Sequence, residues 1–127
     1  MAPKLHQTFL MVSDVERSTA FYAETLGLEV AERGERSTSF DTGGAELVIE
    51  QDFSEEELAA FGLTPPGPDR GEGVIVVIEV DDVGAVHERA VDAGAEVLVE
   101  PREVDWGREL FLVRDPDGYV VEVSRQL

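Results

Sequence analysis

The strongest constraint on this chain is that it spells out one supersecondary unit twice. Val12-Ser13-Asp14-Val15 opens a helical run closed by Gly27, and Val80-Asp81-Asp82-Val83 opens another closed by Gly94. Leu47-Val48-Ile49-Glu50 and Tyr119-Val120-Val121-Glu122 then set an acid at the end of an apolar stretch in each half. A repeat that cannot bury its own apolar face has to pack on its copy, and the seam between copies is a natural place for a shared cavity. With 127 residues the chain has room for one compact domain or two closely joined half-domains.

Local patterns give each half the same order of elements. Leu5 to Val12 reads as a strand, with Phe9, Leu10, Met11 and Val12 as its buried part. Ser13 and Glu16 have the spacing of a capping box, and Val15, Thr19, Tyr22 and Leu26 fall on one helical face. Phe21 and Tyr22 are expected in the core. Strands are predicted over residues 28–33, 37–41 and 45–50, separated by Gly34 and by Gly43-Gly44. The second half repeats this. A β-branched strand over 73–80 leads to a helix capped by Asp81 or Asp82, with Val83, Val86 and Ala90 on one face. Strands over 95–100, 108–114 and 119–124 follow, the last two joined by the turn-forming Asp115-Pro116-Asp117-Gly118.

Both halves therefore read βαβββ, an α+β fold within a single domain, 1–127. Module one spans 4–52, a linker 53–72, and module two 73–127. In the linker, Ser54-Glu55-Glu56-Glu57 can start a short helix, whereas Thr64-Pro65-Pro66-Gly67-Pro68 is too rich in proline for regular structure.

Composition narrows the chemistry. There is no cysteine, which removes disulfides, thiolate metal sites and thiol nucleophiles. Acidic residues number 28 against 10 basic, a net charge of -18, so nucleic acid and anionic membranes are repelled. Acidity spread along the whole chain, with Lys4 as the only lysine, favours adaptation to high salt over an acidic groove built for one cationic ligand. No signal-peptide pattern or membrane-length apolar stretch is present, and a cytoplasmic location is expected. Nucleophile-elbow and phosphate-cradling motifs are lacking, which argues against nucleotide use.

Several motifs together resemble the vicinal oxygen chelate superfamily of glyoxalase I, bleomycin-resistance proteins and extradiol dioxygenases. These are His6 before an apolar strand, Asp14-Val15 followed by Phe21-Tyr22 and Leu26-Gly27-Leu28, and Asp115-Pro116-Asp117-Gly118-Tyr119 followed by Glu122. The resemblance covers the chain except the segment around Phe53 to Glu72. It implies two curved sheets around a shared cleft, with metal ligands supplied by first and last strands. Carried over residue by residue, His6, Glu50 and Glu122 take ligand positions. The fourth position is Val74 or Ile75, and neither can bind a metal.

What the resemblance implies for function divides in two. The first reading is a glyoxalase-like lyase or isomerase, in which a divalent metal (Zn, Ni, Mn or Fe) holds vicinal oxygens of a small-molecule substrate and Glu122 moves the proton. The second is a metal-free binding protein of the bleomycin-resistance type for a cationic drug. There Trp106 would offer a stacking platform and Arg108 a carboxylate contact. Extradiol cleavage is disfavoured because its iron site wants two histidines, and only His6 is suitably placed. His87 is expected to face solvent. The resemblance also implies a two-fold homodimer.

Overall fold

The computed structural model describes residues 2–127, in two compact units that divide between Pro66 and Gly67. The first unit holds β1 (Gln7–Val12), α1 (Val15–Ala20), β2 (Glu29–Arg33), β3 (Ser37–Asp41), β4 (Glu46–Gln51) and α2 (Glu55–Ala60). The second holds β5 (Ile75–Glu79), α3 (Val83–Asp92), β6 (Glu96–Val104), β7 (Arg108–Arg114) and β8 (Val120–Gln126). Each unit is one four-stranded sheet, ordered β1-β4-β3-β2 and β5-β8-β7-β6. First and last strands pair in parallel and the remaining pairs are antiparallel. The expected α+β architecture of two βαβββ modules is thus present.

Alternation decides what each sheet buries, since successive side chains point to opposite faces. In the first unit Leu10, Val12, Leu47, Ile49 and Phe40 are buried on the helix-facing side, together with Phe21, Tyr22 and Leu26. The second unit buries Phe111, Val113, Val121 and Val123 against Val83, Val86 and Ala90 of α3, the three residues whose spacing marked one helical face.

Three local expectations are revised. The cap of α1 is Asp14 rather than Ser13: its carboxylate accepts from the Glu16 and Arg17 amides at 3.1 and 3.2 Å. The true capping box lies at Ser54 and Glu57, in the segment expected to start a short helix. A carboxylate one residue later serves the same orphan amides, so the Ser13 to Glu16 spacing was a coincidence of neighbours. The helix expected to run unbroken to Leu26 turns α-helical only to Ala20, and Phe21–Thr25 is π-helical, with the Leu26 amide donating to the Phe21 carbonyl at 3.0 Å. Finally, β6 runs on past Glu100 through Pro101 to Val104. As an edge strand with register shifts on either side of Val99, it tolerates a residue without an amide hydrogen.

Candidate functional site

Register shows which residues of the two modules correspond. Helices α1 and α3 are capped by Asp14 and Asp82, and the strands before them end at Val12 and Glu79. Counting back from these caps makes Gln7 the counterpart of Ile75, and Met11 that of Glu79. Since Met11 pairs with Glu50 and Glu79 with Ser124, Glu50 corresponds to Ser124. Two residues earlier, Val48 corresponds to Glu122. The two glutamates that end matching apolar runs in the sequence are therefore two residues out of step in the fold.

The proposed ligands can be placed one by one. His6 precedes β1 and is exposed, its carbonyl accepting from the Glu46 amide at 3.1 Å. Gln7, not His6, shares a face with Phe9, Met11, Val48 and Glu50. Glu46 and Glu50 are separated by four residues of strand, roughly 13 Å, so His6 and Glu50 stand near opposite ends of the β1–β4 pair. Glu50 is half-buried beside Met11 and Ser37. Among the described residues no three His, Asp, Glu or Cys side chains form a group able to hold a metal ion. At the matching register positions module one offers Gln7 and Val48 and module two Ile75 and Glu122, so neither sheet by itself supplies more than one donor for a divalent ion.

Glu122 belongs to a different arrangement. On β8 it lies between Val77 of β5 and Leu112 of β7, on the face of the sheet away from α3. The Ser124 hydroxyl donates to Glu122 Oε2 at 2.9 Å. Arg108 donates to the same hydroxyl from Nη2 at 3.1 Å and from Nε at 3.4 Å, and its Nη2 also donates to Glu79 Oε1. Glu79 in turn accepts from the Gln126 amide at 3.2 Å. The hydrogen bond from Arg108 holds the Glu79 carboxyl below its ordinary value of 4.5. Arg108, expected to meet a ligand carboxylate, makes these bonds within the protein through Nε and Nη2.

A hollow of about 850 Å³ opens at the other end of this face. Ile75, Leu98, Leu112 and Val120 give it an apolar floor, and residues 68–74 form its wall. That wall is held close: a Cβ on Gly71 would lie 2.7 Å from Tyr119 Cδ1, and Gly71 adopts φ +75°. Of the two arginines at the rim, Arg114 donates to the Gly118 carbonyl at 2.8 Å and faces Glu96 at 3.5 Å, and Arg70 lies 3.8 Å from Asp117. Trp106 does not line the hollow; it is 68% exposed at the tip of the β6–β7 hairpin. His87 corrects another expectation. Its ring packs edge-on to Phe111 at 5.3 Å, with Nε2 2.8 Å from Glu100 Oε2 in a contact not aligned as a hydrogen bond.

The network around Arg108 was not visible in the sequence. Its members are far apart in the chain, and only the β5–β8–β7 register brings them together; the alternation of Glu122 and Ser124 was the one available signal.

Duplicated βαβββ modules with parallel outer pairs define the class of this protein, and comparison with known proteins identifies the family. The family model of the Glyoxalase/Bleomycin resistance protein/Dioxygenase superfamily matches residues 4–123, and the chain belongs to that superfamily. A probable lactoylglutathione lyase from Synechocystis sp. is 29% identical over 125 residues, covering 94% of this chain and 92% of the relative. The lactoylglutathione lyase of Salmonella typhimurium is 30% identical over 129 residues, covering 94% and 90%. A crystal structure of a protein of unknown function from Agrobacterium tumefaciens has the same fold, with TM-score 0.82 and 24% identity over 100% of this chain and 97% of that one. No helix among the described residues is long and apolar enough to cross a membrane.

Proposed function

We propose that this chain is a small-molecule-binding member of the superfamily that works without a bound metal, holding its ligand on the face of the second sheet away from α3. The observation that carries this reading is the register: Val48 stands where module two has Glu122, and Gln7 and Ile75 occupy the matching first-strand positions. Each sheet then offers a divalent ion at most one donor at these positions, whereas a hollow with an apolar floor beside a hydrogen-bonded carboxylate suits a small organic molecule.

A second reading is a metal-dependent lyase that uses His6, Glu50 and Glu122. It is favoured by the identity to lactoylglutathione lyases over most of the chain. One pair of measurements separates the two. Purified protein reconstituted with Zn, Ni, Mn or Fe is expected to retain less than stoichiometric metal after dialysis and to form no lactoylglutathione. Retained stoichiometric metal that is lost on Glu122→Ala, together with turnover, would establish the lyase instead. Binding in the hollow is checked with Nile red, whose fluorescence should rise with the protein and fall with Leu112→Asp. A two-fold homodimer in the cytoplasm belongs to this reading, and light scattering should give twice the chain mass.

A further inference from the structure

We propose that Arg108 and Ser124 are positioning residues that turn Glu122 into a one-sided acceptor, selecting ligands that present a charged N–H donor next to an apolar body. The inference rests on the binding reading above and adds the chemistry that the site selects.

A serine hydroxyl has one hydrogen to give and two lone pairs to receive with. Arg108 occupies the receiving side from Nη2 at 3.1 Å and Nε at 3.4 Å, and a guanidinium can only donate. The hydroxyl hydrogen then has one remaining partner, Glu122 Oε2, at 2.9 Å. Glu79 accepts from the same Nη2, so Arg108 cannot swing away to bond Glu122 directly without breaking that pair. Donor and acceptor inventory fixes every direction: Arg108 donates both to Glu79 and to Ser124, and Ser124 donates to Glu122.

The consequence falls on the other carboxylate oxygen. Glu122 makes no further hydrogen bond among the described residues, so Oε1 keeps its acceptor capacity. Its strand neighbours are Val77 and Leu112, which supply no donor from their side chains. Leu112 and Val120 also line the apolar floor of the hollow, and Val120 lies two residues, roughly 7 Å, along β8 from Glu122. A ligand that fills the hollow with an apolar group thus meets an oriented acceptor about that distance away. A charged N–H group is the natural complement, because a hydrogen bond to an ionised partner is about twice as strong as a neutral one.

The test uses 4-phenylbutylammonium and 4-phenylbutyl methyl ether, which share an apolar body and differ in the charged donor. Dissociation constants are measured by calorimetry on the full chain in 0.5 M KCl, where general attraction of cations by the acidic surface is screened. The ammonium is expected to bind about tenfold or more tightly than the ether, the range of a charge-assisted hydrogen bond. Glu122→Gln should bring that ratio close to one. Ser124→Ala should lower the ratio about threefold to tenfold, Ser124→Thr should restore it, and Arg108→Met should lower it while the ether still binds. A purely structural role for Arg108 or Ser124 would instead weaken both probes together. If both probes bind the unmodified protein equally, the selection proposed here is wrong and the hollow stands as a binding site. If neither binds, the binding reading fails and this inference fails with it. Should Ser124→Ala not fold, Arg108→Met alone decides: an unchanged ratio overturns the proposal.

Discussion

The two modules solve the same packing problem with opposite choices of residue. Thr19 and His87 both lie five residues beyond their helix caps, Asp14 and Asp82. Beneath them, Thr38 pairs with Ile49 in one sheet and Phe111 with Val123 in the other, at corresponding positions. Module one thus places two small hydroxyls there, 2.8 Å apart, and module two an imidazole against a phenyl ring. One turn further on, the sizes are reversed. Tyr22 meets Phe40 at 5.9 Å in module one, where module two has Ala90 and Val113. Volume lost in one layer of the core reappears in the next, as a close-packed interior requires. The lesson is that a duplicated fold keeps register and total volume while the individual contacts drift.

Charge follows the same rule. Residues 1–66 carry thirteen acids against four bases, and residues 67–127 fifteen against six, a net -9 in each. The difference lies in placement. On the sheet face away from the helix, module one aligns Glu46 and Glu50 on either side of Val48, with only Gln7, Phe9, Met11, Ser37 and Ser39 beside them. Module two aligns Val120, Glu122 and Ser124, with Arg108 and Arg114 on the neighbouring strand. Equal net charge thus accompanies an organised hydrogen-bond chain on this face of module two, whereas Glu46 and Glu50 of module one make no side-chain hydrogen bond among the described residues.

Swapping the large residues is the strongest way to break this comparison. Phe40→Ala and Phe111→Ala each empty a fully buried site and should each destabilise the chain by about 3–5 kcal/mol in urea unfolding. A much smaller loss at either one would mean that its layer is not close-packed.

The threonine pair sharpens the comparison at the next level. The Thr19 hydroxyl donates to the Val15 carbonyl at 2.6 Å, so in the contact with Thr38 it is Thr38 that donates. Thr19→Val leaves a buried Thr38 hydroxyl without its acceptor and should cost about 1–3 kcal/mol. Thr38→Val, which removes the donor and keeps the Thr19 to Val15 bond, should cost less. Combining both substitutions should recover part of the loss, as a double-mutant cycle by denaturation will show.

Caps are the part that the modules share, and their effects should match. Asp14→Ala and Asp82→Ala are each expected to lower stability by about 1 kcal/mol, read from thermal melting, with Asp→Asn nearly neutral. Unequal losses would point to the π-helical turn after α1, which α3 lacks.

The smallest expected effect concerns pH. Glu79 is held below 4.5 by its bond to Arg108, while its counterpart in module one is the uncharged Met11. With the folded value below the unfolded one, the pair contributes stability above the unfolded value. That contribution fades as pH falls through the folded one. A carbon-detected titration should therefore find Glu79 below the ordinary carboxylate range, and Arg108→Met should return it there. An unshifted Glu79 would mean that the ion pair does not persist in solution.

Much of this was written in local patterns. Ser37–Asp41 and Arg108–Arg114 emerge with their predicted bounds, and Val83, Val86 and Ala90 are buried as their spacing required. The failures share a cause. Whether Asp14 or Ser13 caps the helix, whether it continues past Ala20, and whether His87 faces solvent or Phe111 depend on neighbours that the local pattern does not name.

The sequence by itself determined the α+β character, the duplication and the faces that had to be buried, because hydrophobic period and turn chemistry act over a few residues. Only the tertiary structure decided that Glu50 matches Ser124 rather than Glu122 and that Arg108 reaches Glu79 across 29 residues of chain. The physical reason is that strand register is fixed by pairing between distant segments. A slip of one residue reverses the face of every side chain, and a slip of two changes its partners, without altering any local pattern.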